Sequence, residues 1–459
     1  LSADFEQLYS RLPVPLQNAS CSLVGLHTRW TRYRRPFTQL LAEASERSAW
    51  SQDRVAAVRD ERLRAFVDHA MRTTPFYKET LESAGVSPGD IRSLDDLSML
   101  PILTKDQVQA HGPDLVSTAV PKHLQRTVHT SGTTGGGLRF GTTLRAVQEQ
   151  WATWWRYRRW HGIRQSTWCA LFAGRMVVPA AQRRPPFWRH NLAGKQLLFS
   201  GYHMSPANLP AYVAELRRRK PPWLHGYPSL LSLLAGHVLE NGGDLGYRIR
   251  WVTIGAENLL PQQAAVIERA FGVRPRQHYG MAEAVANISE CDQGRLHVDE
   301  DFAAVEFVPI GGRQFRVVGT NVTNPVTSLI RYDVLDVVTI DDETECGCGR
   351  PGRIVSSIDG RQEDYVVLSD GARLGRMDHV FKDMIRIREA QIRQEHAGEF
   401  TIAIVKGRGF SAGDEERVAQ EVSKRVGDRA RFSIDYVESL PRTATGKLRL
   451  VVSDVGRSE

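Results

Sequence analysis

Between about residue 200 and residue 280 the chain alternates between helix-like and strand-like segments, and this alternation restricts its fold more than any other feature. SPANLPAYVAELRRRKPP reads as a helix with Ser205 as N-cap, Pro206 in the first helical position and Leu209, Tyr212, Val213 and Leu216 as its buried stripe. PSLLSLLAGHVLENGG repeats the theme and ends in glycines. WVTIG suits a short buried strand, PQQAAVIERAFG a helix closed by Gly272, and RPRQHYG another strand. Strands that alternate with helices build an α/β fold with a largely parallel sheet. Ligands bind such folds at the carboxyl ends of the strands.

The flanking regions follow other patterns. Residues 53–72 carry apolar side chains at helical spacing until TTPFY stops the helix, and PILTKDQV leads into a further one. In TLRAVQEQWATWWRYRRWH, residues Trp151, Trp154, Trp155 and Arg158 fall on one helical face, so the tryptophans should pack inward while most arginines face water. Beyond residue 300 the pattern turns to strands: AAVEFVP, RQFRVVGT and VLDVVTI. IDGRQEDYV is polar and turn-like, which places a boundary near Asp359 between a large domain, 1–358, and a small α+β domain, 359–459. A chain of 459 residues also exceeds what one simple core organises.

With 24% charged and 41% hydrophobic residues, the composition is that of a soluble globular protein. The net charge of +8 is spread over clusters such as Arg156, Arg158, Arg159 and Arg217, Arg218, Arg219, Lys220. Solvated helix faces explain these better than a grip on nucleic acid, and the balance equally suits an anionic small molecule. No long apolar span and no signal-like start are present, so the expectation is a cytoplasmic protein with no membrane partner, for which a homodimer is one expected assembly. Five cysteines are too few for a secreted disulfide scaffold.

Chemistry concentrates in a few stretches. Thr130, Ser131, Gly132, Thr133, Thr134 and Gly135 form a hydroxyl and glycine run that is either a surface turn or a cradle for an anion such as phosphate. Gly255 ends the WVTIG strand and Ala256 and Glu257 follow it, where the three could form one wall of a nucleotide pocket. In HYGMAEA, Tyr279 can lie over a flat base, Gly280 permits close backbone approach, and Glu283 can reach Mg²⁺. Asp336 suits ribose hydroxyls, and Lys447, after the small loop of LPRTATGKLRL, can stabilise charge developing on a transferred phosphoryl group. Cys291, His297, Cys346 and Cys348 offer three thiolates and one imidazole, a tetrahedral set for structural Zn²⁺, although three reduced cysteines in turns fit the C-x-C spacing as well. Cys21 and Cys169 read as ordinary thiols, while Phe172, Arg175, His203 and Tyr227 are either carboxylate-pocket or packing residues.

Taken in order, the Ser/Thr/Gly loop, GAE, YG-x-x-E, RY-x-x-x-D, GR-x-x-D and P-x-x-x-x-GK resemble the adenylate-forming ligase superfamily. The nearer resemblance is to its phenylacetate–CoA ligase and CapK-like branch, including the N-terminal PFY and LPILTK segments. It covers essentially the whole chain and implies a large adenylate-forming domain of mixed sheets and helices with a small mobile C-terminal lid. The implied reaction is ATP-dependent, AMP-forming activation of a carboxylic acid, an aromatic one in the branch it resembles, to an acyl-adenylate, then transfer to coenzyme A. An amine or hydroxyl acceptor, or a catalytically silent nucleotide-binding scaffold, would preserve much of the same pattern. The resemblance assigns the loop Thr130–Gly135 to the β- and γ-phosphates, Tyr279 to adenine, Asp336 to ribose and Glu283 to Mg²⁺. It assigns Arg361 to ribose or phosphate, Glu363 to the hinge and Lys447 to adenylation. Some members of that branch hold zinc in an arrangement similar to the Cys/His set. Two departures fall on the phosphate side: Gly136 stands where the loop usually carries lysine, and Ala282 replaces a hydroxyl residue.

Overall fold

The computed structural model describes residues 8–129, 138–174, 177–179, 181–341, 345–361, 365–371, 373–374, 377–381, 384, 386–407, 409–443 and 448–455. Two compact units emerge. One comprises Leu1–Leu26, Gln165–Arg276 and Gly360–Glu459, the other His27–Arg164 and Gln277–Asp359.

In the first unit, the alternation after residue 200 builds a parallel sheet. Strands Trp251–Ile254, Trp223–Gly226, Cys169–Ala173 and Gln196–Ser200 lie side by side and run parallel, and Trp188–Asn191 pairs antiparallel at the edge. Helices Leu209–Arg219, Pro228–Glu240 and Pro261–Phe271 bury Leu216, Leu231, Leu234 and Ile267 in one core with Ala170, Leu224 and Val252. Strands covered on both faces read as apolar runs without alternation, as these do. Gly226 is required by close packing, because a Cβ there would meet the Phe172 carbonyl oxygen at 2.2 Å.

The first of these helices starts one turn later than the sequence suggests. Residues 206–208 form a turn, with Ser205 O accepting from the N–H groups of Asn208 and Leu209, and Asn208 is the N-cap. The helix-starting proline is therefore Pro210, within the first turn, and Pro206 belongs to the preceding turn. Leu209, Tyr212, Val213 and Leu216 are buried as the spacing requires, and Gly272 closes the third helix with φ +67°.

The remainder of this unit contains a second sheet, in the order Arg431–Tyr436, Glu399–Lys406, Ile387–His396, Val451–Ser453. Helix Ala412–Val426 starts at a capping box between Ser411 and Asp414 and buries Val418, Val422 and Val426 in the same core as Ile392, Ile402 and Ile404.

The second unit holds the antiparallel strands Arg276–Gly280, Asn287–Glu290, Leu296–Val298 and Ile354–Val355, and a meander of Ala303–Gly311, Gln314–Asn321, Tyr332–Thr339 and Ser357–Arg361. Gly360, at the end of that meander, has φ +89°. The polar IDGR stretch is thus strand where a turn was expected. Asp359 supports it by accepting from Thr339 Oγ1 at 2.6 Å and Ser357 Oγ at 2.7 Å. Helix Gln52–Thr73 stops at Thr74, which is extended as the residue before a proline should be, and Pro75 then starts a second helix, Pro75–Ala84.

Helix Leu144–Trp160 departs most from expectation. Trp155 is buried, but so are Arg156 and Arg158, at 3% and 7% exposure. Arg156 donates to Asp299 Oδ1 at 2.6 Å and Asp301 Oδ2 at 2.7 Å, and Arg47 Nε donates to Asp301 at 2.5 Å. A buried guanidinium is tolerable only with such partners.

Candidate active site

The sheet of the first unit delivers Gly255, Ala256 and Glu257 immediately past the carboxyl end of strand Trp251–Ile254. Ala256 turns the chain with φ +67°, an unusual value for a residue with a Cβ. Glu257 accepts the Ser229 N–H at 3.2 Å and the Leu448 N–H at 2.9 Å. Ser229 lies in the first turn of helix Pro228–Glu240, so the carboxylate sits at the positive end of a helix dipole. Burial nevertheless raises its pKa against the hydrogen bonds and Arg442.

In the second unit, Tyr279 and Asp336 meet. The tyrosine hydroxyl donates to Asp336 Oδ2 at 2.7 Å. Both are half-buried, and they come from strands Arg276–Gly280 and Tyr332–Thr339. A left-handed residue, Leu335 at φ +62°, precedes the aspartate, and its N–H is held by Asp333 Oδ1 at 2.9 Å. Gly280 is sterically required, since a Cβ would stand 2.7 Å from Asn287 Oδ1. Glu283 is half-buried beyond the strand, and its carbonyl oxygen accepts from Asn321 Nδ2 at 2.7 Å. Tyr279 and Asp336 thus offer an aromatic ring beside a carboxylate aligned by its hydroxyl, and Glu283 follows four residues after the tyrosine.

The four metal-type residues also converge. The ligand atoms of Cys291, His297, Cys346 and Cys348 all lie within 4.8 Å of one another. Cys291 Sγ is 3.8 Å from Cys346 Sγ, and Cys348 Sγ is 3.4 Å from His297 Nε2. A tetrahedron with Zn–S bonds of about 2.3 Å has edges of about 3.8 Å. His297 Nδ1 lies 3.2 Å from Pro351 O, a contact that directs Nε2 toward the sulfurs. Backbone N–H groups of Arg295 and Arg350 donate to Cys291 Sγ and Cys348 Sγ, each at 3.4 Å. Burial pushes the Cys291 thiol up to about 12, while for Cys348 burial is outweighed by hydrogen bonds from Arg350, Cys346 and Cys291 acting together, which leave the thiol below its ordinary value.

The chain's similarities fit this geometry. Residues 367–454 match the CapK C-terminal domain. The protein CapK of Staphylococcus aureus is 23% identical over 458 residues, spanning 98% of this chain and 99% of that protein. A phenylacetate-coenzyme A ligase of Thermus thermophilus is 24% identical over 454 residues, 87% of this chain and 97% of the relative. Among solved structures, 2-hydroxyisobutyryl-CoA ligase in the postadenylation state with 2-HIB-AMP gives a TM-score of 0.68 at 21% identity, over 90% of this chain and 92% of that one. This is the fold of the adenylate-forming ligases.

Within that fold, several expected residues lie outside the described set: the loop Thr130–Gly135, Arg175, Glu363, Lys447 and the side chain of Arg361. The loop's flanks are a hairpin in which His129 pairs with Arg139. Phe172 is core, stacked on Phe199 at 4.7 Å. His203 Nδ1 lies 2.7 Å from Ser200 Oγ, and its ring stacks on Phe187. Tyr227 packs partly buried against the same core.

Sequence reading passed over Arg442, in the segment matched by the CapK C-terminal domain. Its guanidinium donates to Ser229 Oγ at 2.9 Å and pairs with Glu389. Burial raises the Glu389 carboxyl against the pull of Arg442, and nearby Glu257 raises it further. One arginine thus serves two carboxylates and a helix N-terminus. The only signal in the sequence was its place in the LPRTATGK run.

Proposed function

We propose that the protein activates a carboxylic acid with ATP, releasing pyrophosphate, and passes the acyl group to coenzyme A. The observation that carries this reading is the Tyr279–Asp336 pair at a strand end, within a fold whose solved neighbour holds an acyl-adenylate. In the first half-reaction a carboxylate oxygen attacks the α-phosphorus and the bond to the β-phosphate oxygen breaks. In the second the thiol sulfur attacks the acyl carbon, the thiol proton leaves and AMP departs.

The reading divides the chain at residue 359, with 1–358 binding nucleotide and carboxylate and 359–459 carrying Lys447. Tyr279 lies against adenine and holds Asp336 toward the ribose hydroxyls. The loop Thr130–Gly135, Gly255–Glu257 and Arg361 are assigned to the phosphates, and Lys447 to the charge on the α-phosphate. Glu283 holds Mg²⁺, which neutralises phosphate charge when bound. Cys291, His297, Cys346 and Cys348 hold a structural zinc ion; the sulfur spacing of 3.8 Å supports it. An aromatic acid is the proposed substrate and the cytoplasm the proposed compartment. An amine or hydroxyl acceptor is the second reading, because activation of the carboxylate leaves the acceptor of the acyl group open.

Pyrophosphate release across a panel of aromatic and small hydroxy acids tests the first half-reaction. Product mass after adding coenzyme A or an amine tests the acceptor. No release with any acid, together with unaltered ATP binding, would leave the silent scaffold.

A further inference from the structure

Helix Val14–Arg32 is inside out. Its polar face is the one that packs: Gln17 and Gly25 are buried, and Gln17 Oε1 accepts from the buried Arg189 at 2.5 Å. Asn18 Oδ1 accepts from His190 N at 2.9 Å, and Ser22 Oγ donates to His190 O at 3.2 Å while accepting from Leu192 N at 3.1 Å. A Cβ on Gly25 would meet Asn191 Oδ1 at 1.9 Å, so the backbone itself lies against its neighbour. These contacts fix the rotation of the helix and turn its apolar residues outward. Leu16, Leu23, Leu26 and Trp30 are 51%, 66%, 57% and 62% exposed. With exposed Ala19 they recur at spacings of three and four, one continuous stripe. Leu192, 59% exposed, stands beside it, held by Ser22. An ordinary surface helix has the opposite arrangement.

The surrounding charge selects the occupant. From residue 7 to residue 42 the chain has no Asp or Glu, but it carries Arg11, Arg29, Arg32, Arg34 and Arg35. Trp30, an aromatic suited to a membrane interface, lies under the Arg34 guanidinium at 5.0 Å. A second copy of the helix would meet this stripe with more arginines and no acidic partner. A surface with an apolar interior and anionic headgroups satisfies both halves. We propose that this helix docks the protein on an anionic lipid membrane, lying in the interface with its leucine and tryptophan stripe in the acyl boundary and its arginines among the headgroups. The helix spans about 28 Å, and no helix among the described residues is long and apolar enough to cross a membrane, so the attachment is peripheral.

The test is co-sedimentation of the full chain with vesicles of phosphatidylcholine alone and of phosphatidylcholine mixed with phosphatidylglycerol. The chain should pellet with the mixed vesicles and stay in solution with the neutral ones. Salt should release it. Leu23→Glu with Leu26→Glu should lower partitioning by at least about tenfold, and Arg34→Gln with Arg35→Gln by about fivefold for each arginine. All four positions are exposed, and unchanged melting and pyrophosphate release in the variants verify that they fold. Failure to pellet with anionic vesicles overturns the proposal, as does binding that the leucine variant leaves intact. A dimer in light scattering that Leu23→Glu dissolves, without vesicle binding, overturns it in favour of self-association.

Discussion

Tyr279 donates its hydroxyl to Asp336 at 2.7 Å, joining two strands through one hydrogen bond whose acceptor faces the proposed ribose site. The bond orients the carboxylate before any nucleotide arrives, so its loss should appear mainly in binding. Tyr279→Phe keeps the ring and removes the donor. It should raise the KM for ATP by about tenfold with little change in kcat, the scale of one hydrogen bond to a charged group. Asp336→Ala should raise it further. Steady-state pyrophosphate release at varied ATP checks both, and wild-type behaviour in both would place the nucleotide elsewhere.

Glu283 is argued to meet charge that shifts during reaction. Glu283→Gln should therefore lower kcat more than it weakens nucleotide binding, and raised Mg²⁺ should recover part of the loss. Calorimetric nucleotide affinity set beside turnover separates the two effects. Equal losses would make Glu283 a ground-state binding residue.

The cysteine and histidine cluster predicts one equivalent of zinc in protein purified without added metal. Three of its four ligands are thiols, one of them pushed up to about 12 by burial, so two or three protons must leave for the ion to bind. Cys346→Ser should lose the metal and most of its soluble yield, because a structural zinc contributes to folding directly. Metal analysis showing far less than one equivalent in the wild type, or full content in the variant, would remove zinc from the site.

The buried ion cluster gives a prediction about stability. Burial alone would raise the Asp301 carboxyl, but Arg156 and Arg47 hold it well below the usual carboxylate range. Its folded pKa is depressed, so its stabilisation is present above the unfolded value and is lost as pH falls through the folded one. Asp299 opposes this in part, since burial outweighs Arg156 there and raises its pKa. Asp301→Asn leaves two arginines undercompensated and should cost about 3 kcal/mol at neutral pH. The deficit should shrink in acid, and thermal melts across pH would read it.

That cluster also marks what sequence could and could not disclose. The Tyr279–Asp336 contact could be anticipated because each residue sits in a motif that declares its chemistry locally, and the convergence of Cys346 and Cys348 because thiols are rare enough to count. The pairing of Arg156 could not, because its partner Asp299 is 143 residues away and an arginine in an amphipathic helix looks solvated from sequence alone. Arg442 was hidden the same way, 213 residues from Ser229. The start of helix Leu209–Arg219 was misread because two prolines, Pro206 and Pro210, both fit a first turn, and only the turn at residues 206–208 decides between them.

Arg442 and Leu448 bracket the sequence position of Lys447, and both are tied to the helix-start region that Ser229 and Glu257 form. These ties matter to the first half-reaction if Lys447 acts there alone. A lysine that stabilises α-phosphate charge has no further task once pyrophosphate has left. Lys447→Ala should therefore slow adenylation by a factor on the order of 10² or more, yet transfer the acyl group from presynthesised acyl-adenylate at close to the normal rate. Arg442→Ala, which removes the arginine's tie and leaves that of the Leu448 N–H, should slow adenylation less and likewise spare transfer. Rapid-quench measurement of each half-reaction distinguishes the outcomes. Equal loss in both halves for Lys447→Ala would assign the lysine to the fold or the acceptor site. A normal first half in Arg442→Ala would make its bonds to Ser229 and Glu389 a matter of stability alone.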